Sequence, residues 1–191
     1  MSKAAVQERE TPMKFFALTT AAALAAVVAT TAQAHGPTRK KVEETVQINA
    51  SPDKVWKVIG NFQDMSWLPP VEKTEGKEGN TPDKATRVLT LKGGATVEES
   101  LYKYSAEKMS YSYRITKIDV KTLPVNDYSS TLKVEPDGDG KSKVSWDGAF
   151  YRGYMNNDPP PELNDEASQK AVRGLYRTGL DAVKAQVEKG S

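Results

Sequence analysis

The feature that most constrains this chain is an amphipathic segment near its C-terminus, from Pro161 to Glu188. Apolar residues recur there at the spacing of one face of an α-helix. Acidic residues fill its first turns and lysines lie near its end, as the helix dipole favours. We therefore expect one long helix, stopped by Gly190, whose apolar face must pack against another part of the chain. That face consists of Leu163, Ala167, Ala171, Val172, Leu175, Tyr176, Gly179, Leu180, Val183 and Val187.

The preceding sequence predicts a sheet that receives this helix. Val42 to Asn49 predicts a first strand, and Ser51-Pro52-Asp53 begins a short helix with Ser51 as its N-cap. Phe62 to Leu68 predicts a second short helical turn. The fold class is therefore α+β, a curved antiparallel sheet of about seven strands wrapped around the long helix. The further strands begin at Val71 and cover Arg87–Leu91, Ala95–Tyr104, Met109–Ile118, Asn126–Val134 and Val144–Tyr151, with turns at Gly76–Asp83, Gly93-Gly94, Ala106–Lys108 and Asp137–Gly140.

The N-terminal segment has the organisation of a secretory signal peptide. Lys14 supplies a positive charge, about fifteen mostly apolar residues follow, and Ala32-Gln33-Ala34 forms a cleavage site. The alternative is a membrane anchor, but the run is short for a bilayer span and contains several threonines. We expect cleavage after Ala34, a periplasmic location and no stable membrane anchor afterwards. The predicted domains are 1–34, an extension with the signal peptide, 35–41, a polar tail, and 42–191, a single folded domain.

The composition argues against several classes of function. The formal net charge is +2, which argues against nucleic acid as the main partner. Cysteine is absent and His35 is the only histidine, so a Cys nucleophile is excluded and a Ser-His-Asp triad would need a residue of the tail. No Gly-rich loop follows a strand and opens a helix, and no haem or iron–sulfur motif is present. We expect no cofactor.

Two segments have some features of a metal site, but neither is expected to bind a metal. His35 at a mature N-terminus could bind Cu(II) through its amine and imidazole, but a tight site usually needs a second histidine. Asp137–Gly140 superficially resembles part of a calcium loop, but the closing Glu is missing. An ordinary tail residue and a hairpin turn are the preferred interpretations, so no metal site is predicted.

A cavity between the long helix and the sheet is the remaining candidate site. Strand alternation predicts which residues face it, although the same residues could form an ordinary core. Gly174 and Gly179 on the helix would leave room against the sheet. The candidate lining is Val97, Glu99, Leu101, Met109, Tyr111, Tyr113, Tyr128, Leu132, Trp146, Phe150 and Tyr176, with Trp67 near the mouth.

Glu99 is the most informative residue of this set because alternation turns a carboxylate inward between Val97 and Leu101. Desolvation would raise its pKa unless a cation or hydroxyl satisfies it. It could anchor a ligand or act as a general acid or base. The preferred alternative is a structural partner of Tyr111, Tyr113 or Arg173, or a bulge that turns it outward. The chain offers no second group for catalysis.

The order of elements resembles the helix-grip proteins of the START/Bet v 1 superfamily, in the polyketide cyclase/dehydrase-like branch. The stretch VQINASPDKVWKVIGNF and the later WLPPV carry this resemblance. Together with the leader MKFFALTTAA and the start HGPT, they also resemble the periplasmic MxaD-type accessory proteins of methanol oxidation. That resemblance implies a non-catalytic helper of methanol dehydrogenase and its cytochrome c. The alternatives are a binding protein for a small hydrophobic ligand and a cyclase-like enzyme.

A partner would need an exposed surface, and two segments are candidates. The turn with Trp67 and Leu68 carries apolar bulk at a predicted loop tip. The loop from Met155 to Asn164, which includes Asn157, is long, polar and rich in proline. The alternative for Trp67 is that it folds back and plugs the cavity.

Overall fold

The computed structural model describes residues 36–189, so the predicted signal peptide, its cleavage site, His35 and Gly190 lie outside the described residues. Seven strands form one antiparallel sheet in the order β1-β7-β6-β5-β4-β3-β2, and the long helix α2 packs against β1 and β7. The predicted α+β helix-grip fold is confirmed. The elements are β1 (Lys40–Ile48), α1 (Pro52–Ile59), β2 (Val71–Lys77), β3 (Thr86–Leu91), β4 (Thr96–Ser105), β5 (Ser110–Lys117), β6 (Val125–Pro136), β7 (Ser142–Arg152) and α2 (Asp165–Lys189).

Helix α2 begins later than predicted. Pro161–Leu163 forms a short 3-10 turn, and Asn164 then adopts an extended backbone before the α-helix starts at Asp165. The side chain of Asn164 accepts a hydrogen bond from the Ala167 amide at 2.8 Å. Such a cap satisfies an amide that has no partner within the helix, and it fixes the helix start at this position.

The buried face of α2 follows the prediction in its C-terminal half and departs from it in its N-terminal half. Val172 and Tyr176 are fully buried, whereas Ala167, Ala171 and Leu175 are only half-buried. In the N-terminal half of α2, the centre of the buried face therefore lies one residue after the predicted row of Ala167, Ala171 and Leu175. The fully buried or nearly buried positions are Ser168, Val172, Tyr176, Gly179, Leu180, Val183 and Val187.

Two glycines let α2 approach the sheet closely. A Cβ atom on Gly179 would lie 2.7 Å from the Trp146 ring and 2.8 Å from the Leu68 side chain. A Cβ atom on Gly148 of β7 would lie 2.1 Å from the Tyr176 hydroxyl. Gly179 thus permits close packing, but it does not line the cavity for which it was predicted to leave room. Gly174 has no such packing role, because it is exposed and no atom lies within 4 Å of a Cβ placed there.

The segment after α1 corrects the prediction of a second short helix. Residues 62–68 form consecutive turns, in which the Asp64 amide bonds to the Asn61 carbonyl and the Leu68 amide to the Met65 carbonyl. The Asn61 carboxamide oxygen also accepts from the Gln63 amide, at 3.1 Å. The Asp64 carboxylate likewise accepts a hydrogen bond from the Ser66 amide, at 2.8 Å. These side chains compete with the helical hydrogen bonds, so turns form instead.

Other details of the elements differ slightly from the prediction. β2 continues through Lys77 although a loop was predicted from Gly76. Ser51 occupies the N-cap position of α1, but its side chain makes no capping bond. The segment 137–141 connects β6 to β7 as a hairpin, with Gly138 and Gly140 at positive φ. The hairpin interpretation of Asp137–Gly140 is therefore confirmed.

Candidate functional site

A cavity of about 270 Å³ lies between α2 and the sheet. Half-buried side chains such as Leu91, Ile115, Ile118 and Leu175 mark where its lining reaches the surface. Because a cavity of about 150 Å³ can hold benzene, this one has room for roughly one or two rings. The lining residues are Met65, Leu68, Pro70, Val71, Leu89, Leu91, Val97, Glu99, Tyr113, Ile115, Ile118, Thr122, Leu123, Tyr128, Trp146, Ala171 and Leu175.

The structure brings part of the predicted set together around this cavity, namely Val97, Glu99, Tyr113, Tyr128 and Trp146. The rest of the set is buried nearby without lining it: Trp67, Leu101, Tyr111, Leu132, Phe150 and Tyr176. Met109 is half-buried just before β5, where its φ of 45° places it in a turn. Whether the lining residues bind a ligand stays a prediction.

The residues that do not line the cavity are held away from it by packing with one another. The Tyr111 ring lies 6.1 Å from both Trp56 and Phe62, beside α1. The Tyr176 ring stacks on Trp146 with centroids 4.4 Å apart and planes 11° apart. Phe150 stacks on Tyr128 at 6.1 Å. Alternation identified inward-facing residues correctly but could not separate the cavity wall from the surrounding core.

Several lining residues were missed because they come from loops and from the flank of α2. Met65 lies in the turns after α1, and Ile118 and Leu123 lie in the loop between β5 and β6. Loop residues carry no periodic signal, so a sequence pattern cannot assign them to an inner face. Leu89 could have been found, because it alternates with Leu91 on a predicted strand.

The predicted docking surface at Trp67 and Leu68 is wrong, because each is only 4% exposed. The Trp67 ring lies 5.5 Å from Trp146 and packs over Gly179. The free energy gained by burying these two large apolar side chains outweighs the tendency of a loop tip to be exposed. The alternative, that Trp67 folds back and plugs the cavity, is right only in its first part: Trp67 is buried but does not line the cavity, whereas Leu68 does.

The second predicted surface, the loop from Met155 to Asn164, remains available to a partner. Met155 is 44% exposed and Asn157 is exposed. Arg152 holds the base of this loop, donating from Nε to the Tyr154 carbonyl at 2.7 Å and from Nη2 to the Asn156 carbonyl at 2.9 Å. The loop is thus anchored while its tip faces solvent, and its role in binding stays a prediction.

Glu99 is buried and paired with a cation. Its Oε2 atom accepts a hydrogen bond from Arg87 Nε at 2.6 Å, and Arg87 Nη1 donates to the Phe62 carbonyl at 2.6 Å. Burial raises the pKa of the Glu99 carboxyl, and the Arg87 guanidinium opposes this shift. The predicted structural partners Tyr111, Tyr113 and Arg173 are wrong, because the partner is Arg87, and no bulge turns Glu99 outward. Whether Glu99 also anchors a ligand or acts as a general acid or base stays a prediction.

Arg87 is the buried cation of this pair, and the sequence pattern was not used to place it. It is 1% exposed, and it stands directly opposite Glu99 in the pairing of β3 with β4. Alternation with Leu89 and Leu91 on the predicted strand would have placed it inward. Its guanidinium carbon lies 4.2 Å from the centre of the Phe62 ring. The inward direction of both charges was therefore predictable from alternation, whereas their pairing depends on the register of β3 against β4.

A chain of hydroxyl groups fixes the opposite wall. Tyr176 shares hydrogen bonds with Tyr128 at 2.6 Å and with Ser130 at 2.9 Å. Trp146 Nε1 donates to the Tyr113 hydroxyl at 3.2 Å. These groups satisfy one another, as buried polar groups require. The network positions the aromatic walls and leaves few free polar atoms for chemistry.

The buried tyrosines predict a loss of stability in alkali. Burial raises the pKa of Tyr111 from 10.0 to about 12, and it raises the pKa values of Tyr113, Tyr128 and Tyr176 well above 10.0. In the unfolded chain these phenols release protons near the ordinary pKa, so the folded state binds more protons above it. The free energy of unfolding should hold below pH 10 and fall as the pH rises towards about 12.

Denaturant titrations at about pH 9 and about pH 11 measure this fall, and phenolate absorbance measures the ionisation directly. The phenolate absorbance of the four buried tyrosines should appear at the higher pH only as the protein unfolds. Equal free energies of unfolding at the two pH values would contradict the prediction.

Two kinds of feature are absent among residues 36–189. No three or more His, Cys, Asp or Glu side chains in that range are grouped so that they could hold a metal ion. No helix in the same range combines the length and apolarity needed to cross a membrane. The proposed Cu(II) ligand His35 lies outside the described residues.

Comparison with known proteins identifies the family. A family model described as polyketide cyclase/dehydrase and lipid transport matches residues 39–188. No curated protein matches the chain.

Solved structures with this fold include proteins of different kinds. The protein XoxI from Bacillus cereus is 28% identical, with a TM-score of 0.65 over 77% of this chain and 94% of that one. Norcoclaurine synthase from Thalictrum flavum, in complex with dopamine and hydroxybenzaldehyde, is 17% identical, with a TM-score of 0.62 over 82% and 90%. The Zhui aromatase/cyclase from a Streptomyces species is 17% identical, with a TM-score of 0.61 over 80% and 95%. The two comparisons at 17% identity show the fold alone.

Proposed function

Because the chain belongs to the polyketide cyclase/dehydrase and lipid transport family, we propose that it binds one small apolar molecule between α2 and the sheet. The observation that carries this proposal is the cavity of about 270 Å³. Its walls are mainly aliphatic and aromatic, with one buried ion pair at Glu99. Its volume lies just below the range of about 300–1,000 Å³ that is usual for ligand pockets.

We propose binding without catalysis for a chemical reason. Burial raises the pKa of the Glu99 carboxyl, but its Oε2 atom is already occupied by the hydrogen bond from Arg87 at 2.6 Å. The hydroxyls of Tyr128 and Tyr176 are bonded to each other, and burial raises their pKa values well above 10.0. A general acid or base works best with a pKa near the operating pH. The geometry therefore supports a binding site better than an active site.

Blocking the mouth of the cavity tests the proposal. Ala171→Trp places an indole at a half-buried lining position of α2, where it should occupy the cavity entrance. Ala167→Trp is the matched control, because this half-buried residue lies one turn earlier and does not line the cavity. Fluorescence titration with 2-naphthol, an apolar two-ring probe, measures affinity. We expect Ala171→Trp to weaken binding at least about tenfold, or about 1.4 kcal/mol, and Ala167→Trp to leave it unchanged.

Two outcomes count against the proposal. If the wild-type protein does not bind 2-naphthol, the proposal that the cavity binds a small apolar molecule loses its support. Equal weakening by both tryptophan variants would show that the probe binds outside the cavity. Circular dichroism of the variants confirms that each remains folded.

A second candidate function is the exported, periplasmic accessory role in methanol oxidation, with methanol dehydrogenase and its cytochrome c as partners. It is supported by the resemblance of the leader, of the segment HGPT and of the α1 region, and by the similarity to XoxI at 28% identity. The exposed Met155 in an anchored loop gives such a partner a surface to contact. Both roles are compatible, because the cavity and this loop involve different residues.

Growth of a deletion strain tests the second candidate. Loss of the gene should slow growth and dye-linked oxidation on methanol, while growth on succinate stays normal. Complementation with a Met155→Ala and Asn157→Ala double variant tests the loop. Normal methanol oxidation in the deletion strain would refute the accessory role and leave ligand binding untouched.

A further inference from the structure

The mouth of the cavity adjoins a groove on the protein surface. The groove lies between the N-terminal half of α2 and the loop that joins β5 to β6, and its volume is about 680 Å³. Ala171 of α2 lines both the cavity and the groove. In the loop, Thr122 and Leu123 line the cavity, whereas Val120 and Lys121 line the groove. A ligand whose body fills the cavity can therefore place one end in the groove.

Two lysines supply positive charge where the groove meets the cavity. Lys121 and Lys170 both line the groove and are exposed, and neither forms a salt bridge within the described part of the chain. Lys170 directly precedes Ala171, and Lys121 directly precedes Thr122. Each lysine thus stands next to a residue of the cavity wall, and its ammonium group is available to an anion.

The one acidic residue of the groove lies away from this junction. Glu162 belongs to the 3-10 turn before α2, whereas Ala171 is six residues into that helix. At 1.5 Å per residue, Ala171 is about 9 Å beyond the start of α2. The end of the groove beside the cavity mouth is therefore its positive end.

The interior of the cavity disfavours a negative charge. Glu99 lines the cavity and Arg87 does not, so the carboxylate is the member of this ion pair that forms part of the wall. The Glu99 side chain is only 5% exposed. An anionic group placed beside it would lose its water and be repelled by the carboxylate. The charged end of an acidic ligand is stable only at the mouth, where water and the two lysines are available.

We infer that the ligand of this cavity is a small apolar acid, whose one- or two-ring body fills the cavity and whose carboxylate binds Lys121 and Lys170 in the groove. A carboxylate only accepts hydrogen bonds and an ammonium group only donates them, so the two match. Glu99 inside the cavity and the lysines outside it give the ligand one orientation. The inference rests on the proposed binding function and adds the chemical class of the ligand and its direction.

Removing the two lysine charges tests the carboxylate site. The probes are 2-naphthylacetate, which is ionised at neutral pH, and its neutral amide 2-naphthylacetamide, which has the same rings and nearly the same shape. Lys121→Gln/Lys170→Gln should weaken binding of 2-naphthylacetate about fivefold at low ionic strength and leave binding of the amide unchanged. The effect should shrink at about 0.5 M salt, because salt screens exposed charges. Fluorescence titration measures both affinities.

Lys103→Gln/Lys108→Gln is the matched control. It removes the same charge from exposed lysines that line neither the cavity nor the groove, so it should change neither affinity. None of the four lysines is buried or forms a salt bridge within the described residues, so both double variants should remain folded. Circular dichroism checks this.

The outcomes separate this inference from the function on which it rests. Unchanged affinity of Lys121→Gln/Lys170→Gln for 2-naphthylacetate would overturn the carboxylate site, as would wild-type protein that binds only the amide. Equal weakening by the two double variants would also overturn it, since the net charge of the protein would then attract the acid. In each case, amide binding that Ala171→Trp blocks would leave cavity binding standing. Failure of both probes and of 2-naphthol to bind the wild-type protein would overturn the binding function and this inference together.

Discussion

Replacement of Arg87 by methionine should lower the free energy of unfolding by about 3–5 kcal/mol. Methionine keeps most of the volume but leaves the Glu99 carboxylate buried, only 5% exposed, without its partner at 2.6 Å. The change also removes the hydrogen bond to the Phe62 carbonyl that ties the turns after α1 to the sheet. Urea denaturation followed by tryptophan fluorescence measures the loss.

The double variant Arg87→Met/Glu99→Leu provides the decisive comparison. Removing both charges of a buried pair is often nearly neutral, whereas removing one is costly. We expect the double variant to regain most of the stability lost in Arg87→Met. A surface control is Lys117→Met, which breaks the exposed 3.1 Å pair with Glu98 and should cost less than about 1 kcal/mol. Additive losses in the double variant would show that the two residues act independently.

Replacement of Trp146 by alanine should also lower the free energy of unfolding by about 3–5 kcal/mol. Trp146 is 1% exposed and stacks on Tyr176 at 4.4 Å. It also contacts the Trp67 ring at 5.5 Å and donates its Nε1 hydrogen to Tyr113. The substitution therefore opens a void where α2, β7 and the turns after α1 meet, and it leaves the Tyr113 hydroxyl without its donor. Thermal and urea unfolding measure the loss.

Trp56 offers a matched control for this prediction. It is half-buried on α1, and its ring lies 5.9 Å from Tyr104 and 6.1 Å from Tyr111. Because less of the Trp56 side-chain surface is removed from water on folding, Trp56→Ala should lower the free energy of unfolding clearly less than Trp146→Ala does. Equal losses for the two variants would mean that Trp146 does not hold the layers together.

The elements with strong periodic signals were predictable. The apolar row of α2 identified Val172, Tyr176 and Leu180 as core residues, and all three are at most 1% exposed. Asp137–Gly140 identified a hairpin because glycines at positive φ suit a tight turn. These features depend on local chemistry, which the sequence carries directly. The order of elements then led to the helix-grip fold.

What escaped prediction depends on contacts between distant parts of the chain. Trp67 was predicted to lie at an exposed loop tip. Its ring instead packs against Trp146 and Gly179, both far away in sequence. Glu99 was correctly turned inward, but its partner was sought among tyrosines and Arg173. The pairing of Glu99 with Arg87 depends on the register of β3 against β4. The spacing of apolar residues alone does not determine that register.

The measurement that tests the central claim most directly locates a bound probe by NMR. Isotope-filtered nuclear Overhauser effects between 2-naphthol and methyl-labelled protein report which side chains touch the ligand. Binding in the cavity predicts contacts to the methyl groups of Leu89, Val97 and Ile115. Contacts confined to Val120 and Leu163, which line a neighbouring groove beside α2 and not the cavity, would contradict the claim that the cavity is the binding site.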